Sequence, residues 1–306
     1  MSNVEKFTLR ELESKIKEGE KYRLFRPFMY NGQTLFNIEK ILTEKDMLRL
    51  DGKIFGPIEV VSAVEYNSDD KSRNVIIDEC VRILKTDRLF HLDDVHHLKF
   101  EKRKECEKLF DGIINGNLHL ADKITELYNF SKKLFEHSVR VTILSVIIDL
   151  GVQEKKKAHN GLRSEEILTG ALLHDIAFLT FPESMVEKRR FEYNDSEKAL
   201  YMTYPTVGKQ IVTEMGSSIR SKSIDIVYQH QERLQGNGFP QKLKGNKIEE
   251  LALIVGFADE FDLMVSKESI DHQKSFSEIM SRFSVYGRIM GQDIIDSFYT
   301  WFRYLR

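Results

Sequence analysis

An adjacent histidine and aspartate, His174-Asp175, close an apolar stretch running from Ile167 to Leu173. Further imidazoles lie upstream at His137 and downstream at His230, and a carboxylate follows at Asp259. A lone His-Asp pair means little, but several ligand-type side chains on separate apolar helical stretches are hard to produce by accident. Together they read as the donor set of one metal centre. Imidazole nitrogen and carboxylate oxygen suit iron, manganese or zinc better than a thiolate-seeking ion. Successive residues of a helix diverge by about 100° around its axis, so His174 and Asp175 can face one ion only where the helix ends or kinks. Thr180 and Pro182 follow within two turns and supply an ending, because the residue before a proline is pushed out of the helical region.

Those residues need helices to carry them. Leu127, Phe130, Leu134, Val141, Leu144 and Ile148 predict one long helix that bears His137 on its apolar stripe and that Gly151 would cap. A histidine on such a stripe is more often a hydrogen-bonded core residue than a ligand, and only the downstream pattern reverses that expectation. Asp259 stands among Leu251, Ile254, Val255, Phe257 and Phe261, where a carboxylate is costly unless a cation or donors satisfy it. Ile76, Ile77, Cys80, Val81 and Leu84 predict a helical connector with one apolar face.

The first residues have a different texture. Tyr22 to Tyr30 and Thr34 to Ile38 are strand-like runs separated by Asn31-Gly32, a hairpin signal. Thr43, with Asp46 at the third position, caps a short helix through about Leu50. Asp51-Gly52 then turns into a strand-like run from Ile54 to Val64, which Pro57 would place at a sheet edge. The expected organisation is a small α+β N-terminal module over residues 1–70, a helical connector over 71–118 and an all-helical metal-binding domain over 119–306, mainly α as a whole.

Five runs carry a resemblance: His137-Ser138-Val139-Arg140-Val141, Ala171-Leu172-Leu173-His174-Asp175-Ile176, Tyr204-Pro205-Thr206-Val207-Gly208, His230 through Pro240, and Ala258-Asp259-Glu260-Phe261-Asp262. Their order and spacing, from about residue 120 onward, resemble the HD-GYP branch of the HD-superfamily phosphohydrolases. The resemblance implies an all-helical HD-type domain whose metal centre hydrolyses the bacterial messenger cyclic di-GMP. It implies His174 and Asp175 at the chemistry, and His137, His174, Asp175, His230 and Asp259 as metal ligands, with Tyr204 the only obvious further donor. It also implies a substrate or partner loop at Gly236, Gly238 and Phe239. Lys209 and Arg233 are candidate phosphate-facing cations beside the default of ordinary surface charges.

The sequence departs from the family pattern where chemistry is done. His-Asp-Ile-Gly-Lys is expected, but Ala177 and Phe178 stand at its end, so the phosphate-meeting lysine is gone. The usual His-Pro is Tyr204-Pro205, and the usual His-His-Glu is His230-Gln231-Glu232. Phe239 replaces the naming tyrosine, and Gln235 precedes Gly236. Lys133 stands where three-metal members have a glutamate, and an Arg-rich tetrapeptide is absent from Ser266 to Asp271. Phosphodiester hydrolysis needs an activated water and cations at the phosphoryl oxygens, and two metals close together provide both. The expectation is one or two divalent ions, iron before manganese, in a divergent phosphodiesterase of impaired activity. The alternative is a metal-containing signalling module that binds a nucleotide or a protein partner without turnover. A weaker third reading is a single-metal nucleotide phosphohydrolase.

The 306 residues include 46 basic and 48 acidic ones, a formal charge of -2, which gives no electrostatic footprint for nonspecific nucleic-acid binding. Cys80 and Cys106 imply no disulfide framework and fit a reducing cytosol. No long apolar run or signal-peptide core appears, so a cytoplasmic protein away from membranes is expected. A protein partner at the Gly236-Pro240 loop and a homodimer are left open. His91 and His96-His97 read as a solvated linker, and Lys155-Lys156-Lys157 as an exposed loop.

Overall fold

The structure, a computed structural model, describes residues 4–24, 28–30, 33–36, 41–54, 56–62, 70–87, 100–157, 160–186, 188–265 and 286–301. The chain falls into two compact units, Met1–Asn67 with Leu179–Pro182, and Ser68–Phe178 with Glu183–Arg306.

In the first unit, β1 (Val4–Phe7), α1 (Leu9–Lys17), β2 (Tyr22–Leu24), β3 (Phe28–Tyr30), β4 (Gln33–Phe36), α2 (Glu44–Leu50) and β5 (Ile58–Ser62) follow in order. Thr8 with Glu11, and Thr43 with Asp46, close capping boxes that start the two helices. Leu12, Tyr22, Leu24, Phe36, Met47, Leu50 and Val60 are among the residues that fill the core. Two details differ from expectation. The run from Tyr22 to Tyr30 is split between sheets, since β2 pairs with β5 while β3 pairs with β4. The β3–β4 pairing is the one Asn31-Gly32 predicts, although those two residues lie outside the described ones. β5 is the central strand of an antiparallel sheet ordered β1-β5-β2, not an edge. Pro57 is compatible with that position because pairing begins at Ile58, so its missing N–H is not needed by the ladder.

The second unit is helical: α3 (Asp70–Thr86), α4 (Phe100–Gly116), α5 (Leu118–Phe130), α6 (Lys132–Lys156), α7 (Gly161–Leu173), α8 (Glu183–Val186), α9 (Asp195–Tyr201), α10 (Tyr204–Glu214), α11 (Ser221–Gln229), α12 (Glu250–Val265), α13 (Gly287–Met290) and α14 (Gln292–Trp301). The mainly helical class, with its small α+β module, is as expected. Ile76, Cys80 and Leu84 bury the stripe of α3. The single long helix predicted around His137 is two. Ser131 adopts an extended backbone and its hydroxyl accepts from the Leu134 amide, ending α5 and starting α6. Gly151 is buried inside α6 and caps nothing; the helix runs on to Lys156 and ends at Lys157, which takes a left-handed conformation. Lys155 and Lys156 therefore form the exposed last turn of a helix, where cations complement the macrodipole, rather than a loop.

α6 is the central element, packed by α7, α12 and α14, while α11 packs on α7, α10 and α12. This arrangement brings together the ends of α7 and α11, the second turn of α6 and the middle of α12. Among the described residues, no helix is long and apolar enough to cross a membrane. His91, His96 and His97, and the stretch from Ser266 to Asp271, lie outside the described residues.

Candidate metal centre

His174 is the C-cap of α7, and the chain tightens from Ile176 into a 3-10 turn. That change of winding brings the neighbouring side chains together, with His174 Nε2 3.5 Å from Asp175 Oδ2. From α6, His137 Nε2 lies 3.6 Å from Asp175 Oδ2 and 3.3 Å from Asp259 Oδ1 of α12. His174 Nε2 is 4.0 Å from the same Asp259 oxygen. Ligand atoms of His137, His174 and Asp259 all fall within 4.8 Å of one another. All four side chains are buried.

Each imidazole is turned by a hydrogen bond at its other nitrogen. His137 Nδ1 donates to Asp262 Oδ2 at 2.7 Å, and His174 Nδ1 donates to the Ala171 carbonyl at 2.7 Å. Asp262 is itself gripped by Arg140, whose Nε and Nη2 donate at 2.6 and 3.0 Å. Such outer partners fix the tautomer and leave the Nε2 lone pair for a cation. His137 Nε2, His174 Nε2 and Asp175 Oδ1 are buried without a hydrogen-bond partner. Buried orphan acceptors are costly, and two such ring nitrogens converging on Asp175 Oδ2 and Asp259 Oδ1 fit a divalent ion. Burial raises the carboxyls' pKa values, but the neighbouring positive groups outweigh it. The charge of His174, the His137 contact and the Arg190 guanidinium bring Asp175 to about 2, and Arg190 and His137 hold Asp259 well below its usual range. Burial opposes protonation of His137, yet Asp175, Asp259 and Asp262 hold its pKa well above the ordinary value. A cation must therefore displace a proton there.

The remaining predicted ligands are arranged differently. His230, the C-cap of α11, donates from Nδ1 to the Val227 carbonyl at 2.9 Å, and its Nε2 accepts from the Tyr204 hydroxyl at 2.5 Å. Burial, and then the charge of His174, bring His230 to about 4, so the ring is neutral near pH 7. Burial pushes the Tyr204 phenol well above its usual pKa. His230 and Tyr204 thus engage one another. Gln231 Nε2 donates to Asp259 Oδ2 at 2.7 Å.

Sequence reasoning missed Arg190. Its Nη1 is 3.4 Å from Asp259 Oδ2, and its Nη2 is 3.4 Å from Asp175 Oδ2 and 3.5 Å from Asp259 Oδ1. Its guanidinium stands 5.3 Å from the centre of the Tyr201 ring. Tyr201 stacks on Tyr204 at 4.9 Å, and Phe178 and Phe239 pack on Tyr204 at 5.3 and 6.1 Å. The three aromatic departures, Phe178, Tyr204 and Phe239, therefore form one cluster. Asp262 and Arg140 were also missed as positioning residues. Each lies three residues after a ligand candidate on the same helix, which is the signal that could have found them.

Around the loop, Glu232 is buried and accepts from the amides of Gln241 and Leu243 at 2.6 and 2.9 Å. Arg233 donates to the carbonyls of His230 and Glu232 at 3.0 and 2.8 Å and pairs with Glu260. Lys209 places its ammonium 4.2 Å from the Tyr228 ring centre. Gly236 takes a positive φ of 79°. A Cβ on Gly238 would lie 2.5 Å from the Gln231 carbonyl oxygen, and one on Gly256 would lie 2.1 Å from that of His230. Only glycine at 256 lets α12 slide this close beneath the end of α11.

A helical unit that converges buried imidazole and carboxylate atoms from separate helices has the frame of a metal-dependent HD phosphohydrolase. The sequence model of the HD domain family matches residues 132–284, and the chain belongs to that family. The resemblance read from the motifs is borne out. The chain is similar to a cyclic di-GMP phosphodiesterase of Thermotoga maritima, 26% identical over 253 residues, covering 78% of this chain and 67% of that protein. It is also similar to the cyclic di-GMP phosphodiesterase PdeB of Borreliella burgdorferi, 28% identical over 144 residues, covering 46% of this chain and 35% of that protein. The chain thus spans about two thirds of the first relative's length and about one third of the second's. A solved HDG"Y"P protein from Bdellovibrio bacteriovorus superposes with a TM-score of 0.49 at 16% identity, covering 93% of this chain and 94% of that one.

Proposed function

We propose that this chain is a metal-dependent phosphodiesterase of HD-GYP type that opens a cyclic dinucleotide, cyclic di-GMP being the reference substrate, at an impaired rate. The observation that carries the reading is the convergence of two unpartnered buried ring nitrogens, His137 Nε2 and His174 Nε2, on Asp175 Oδ2 and Asp259 Oδ1. The relatives named as cyclic di-GMP phosphodiesterases support the substrate class. His137, His174, Asp175 and Asp259 would hold the ion, and their nitrogen and oxygen donors favour iron or manganese. Once bound, such an ion supplies an activated water and positive charge at the phosphoryl oxygens.

The chain's own groups set the rest. Asp175 keeps one oxygen to accept a hydrogen bond from the attacking water and orient it. With its pKa near 2, it is a weak base. Phe178 brings no charge where the resemblance expects a lysine. Removing one such donor to the developing charge typically costs about 100-fold or more in rate. Cys80 and Cys106 are buried and not joined in a disulfide, consistent with a reducing compartment.

The test is turnover of cyclic di-GMP by protein purified without oxygen and supplied with ferrous iron or manganese, beside the His174→Ala variant. Slow, metal-dependent product formation that the variant loses is the expected result. Absence of product from a folded, metal-loaded protein overturns the reading.

A further inference from the structure

The carboxylates of Asp175 and Asp259 face a positive group that belongs to the chain itself. Arg190 reaches both, from the 3-10 turn Arg190–Glu192 that follows α8. Its side chain is 27% exposed, whereas the two carboxylates are at 1% and 0%. The side chain therefore runs from the surface to the buried carboxylates, which its guanidinium meets. Meanwhile two donors that an additional ion would need beside Asp175 Oδ1 are committed: His230 Nε2 to Tyr204, and Asp259 Oδ2 to Gln231.

We infer that the centre takes a single metal ion, and that Arg190 is the second cation, the group that binds the substrate's phosphoryl oxygens. This rests on the proposed function, because it requires an ion at His137, His174, Asp175 and Asp259. A guanidinium has five donors in a planar fork suited to phosphate, and the 3.4–3.5 Å contacts to the carboxylates are long enough to leave it free to turn toward a ligand. Two carboxylates set against one divalent ion and one guanidinium leave a single net positive charge, the complement of one phosphodiester anion. A second divalent ion would have to enter beside an arginine that cannot lose its proton at any working pH. The platform beneath the guanidinium is aromatic: Tyr201 under Arg190, then Tyr204, Phe178 and Phe239 packed behind it. The aromatic departures thus support the arginine rather than merely deleting ligands.

The experiment loads the full chain with manganese, counts metal per chain by elemental analysis, records the manganese EPR spectrum, and titrates the loaded protein with inorganic phosphate. Arg190→Gln and Arg190→Lys are measured alongside. Expected are one uncoupled manganese in the unmutated chain and one in each variant. Phosphate affinity should fall about tenfold to hundredfold in Arg190→Gln, the size of a lost charge-assisted hydrogen bond, and recover in part in Arg190→Lys, which keeps the charge but not the fork. Two spin-coupled ions in the unmutated chain overturn the inference and leave the proposed function standing. So does undiminished phosphate affinity in both variants. An unmutated chain that takes up no manganese or iron overturns the proposed function, and this inference with it.

Discussion

Two halves of the same centre handle their polar atoms in opposite ways. In the half built by α6 and the end of α7, His137 and His174 present ring nitrogens that no protein group satisfies, each held by a hydrogen bond at the far nitrogen. In the half built by α10, the end of α11 and the Arg190 turn, the corresponding atoms are already engaged: His230 with Tyr204, Gln231 with Asp259, Arg190 with both carboxylates. The first half is organised to receive a cation, and the second is organised to do without one. Scaffold and chemistry can therefore diverge separately, because the hydrogen bonds that aim a ligand are local to each helix.

The comparison can be broken from its strongest element downward. His174→Ala removes an orphan nitrogen at the heart of the first half, and metal affinity should fall roughly a hundredfold or more, exceeding what outer-partner changes cause; elemental analysis after dialysis against a buffered metal reads this directly. Gly256→Ala drives a methyl into the His230 carbonyl and should destabilise the fold by about 1–3 kcal/mol, measured by denaturant unfolding. Unchanged stability would show that α12 does not approach α11 so closely. Asp262→Asn weakens the grip on His137 and should lower metal affinity roughly ten- to hundredfold with the helices intact. Equal metal binding in the variant would remove Asp262 from the positioning role. The smallest effect is expected in the second half. Tyr204→Phe leaves His230 Nε2 buried without a donor and should cost about 1–2 kcal/mol of stability, while metal per chain stays the same. A large loss of metal in that variant would place Tyr204 among the ligands after all.

What could be read from the sequence followed the range of the interactions. The end of α7 at His174 was legible because adjacent ligand side chains cannot face one ion on an unbroken helix, although Pro182 lies too far along to end it there. The capped helix at Thr43 was legible because its box is local. The break at Ser131 was hidden by an apolar period that continues in register on both sides, so the serine's capping role gave way to the stripe. Gly151 was read as a stop because glycine is a poor helix former, yet burial inside α6 holds the helix through it. Phe178, Tyr204 and Phe239 looked like three separate losses; only tertiary packing makes them one cluster. Arg190 sits in a charged run with Lys188 and Arg189 that resembles any solvated turn. Nothing in its neighbours announces that it reaches two buried carboxylates.

Glu232 carries a consequence for timing. Its carboxylate ties down the amides of Gln241 and Leu243, the Phe239 amide donates to the Gln231 carbonyl, and the Gly245 amide donates to the Leu234 carbonyl. A segment tied at so many points is held close to the end of α11. The segment after His230 should move as one body with the helices it joins, its amide protons exchanging with solvent only when those helices open, which hydrogen exchange reads.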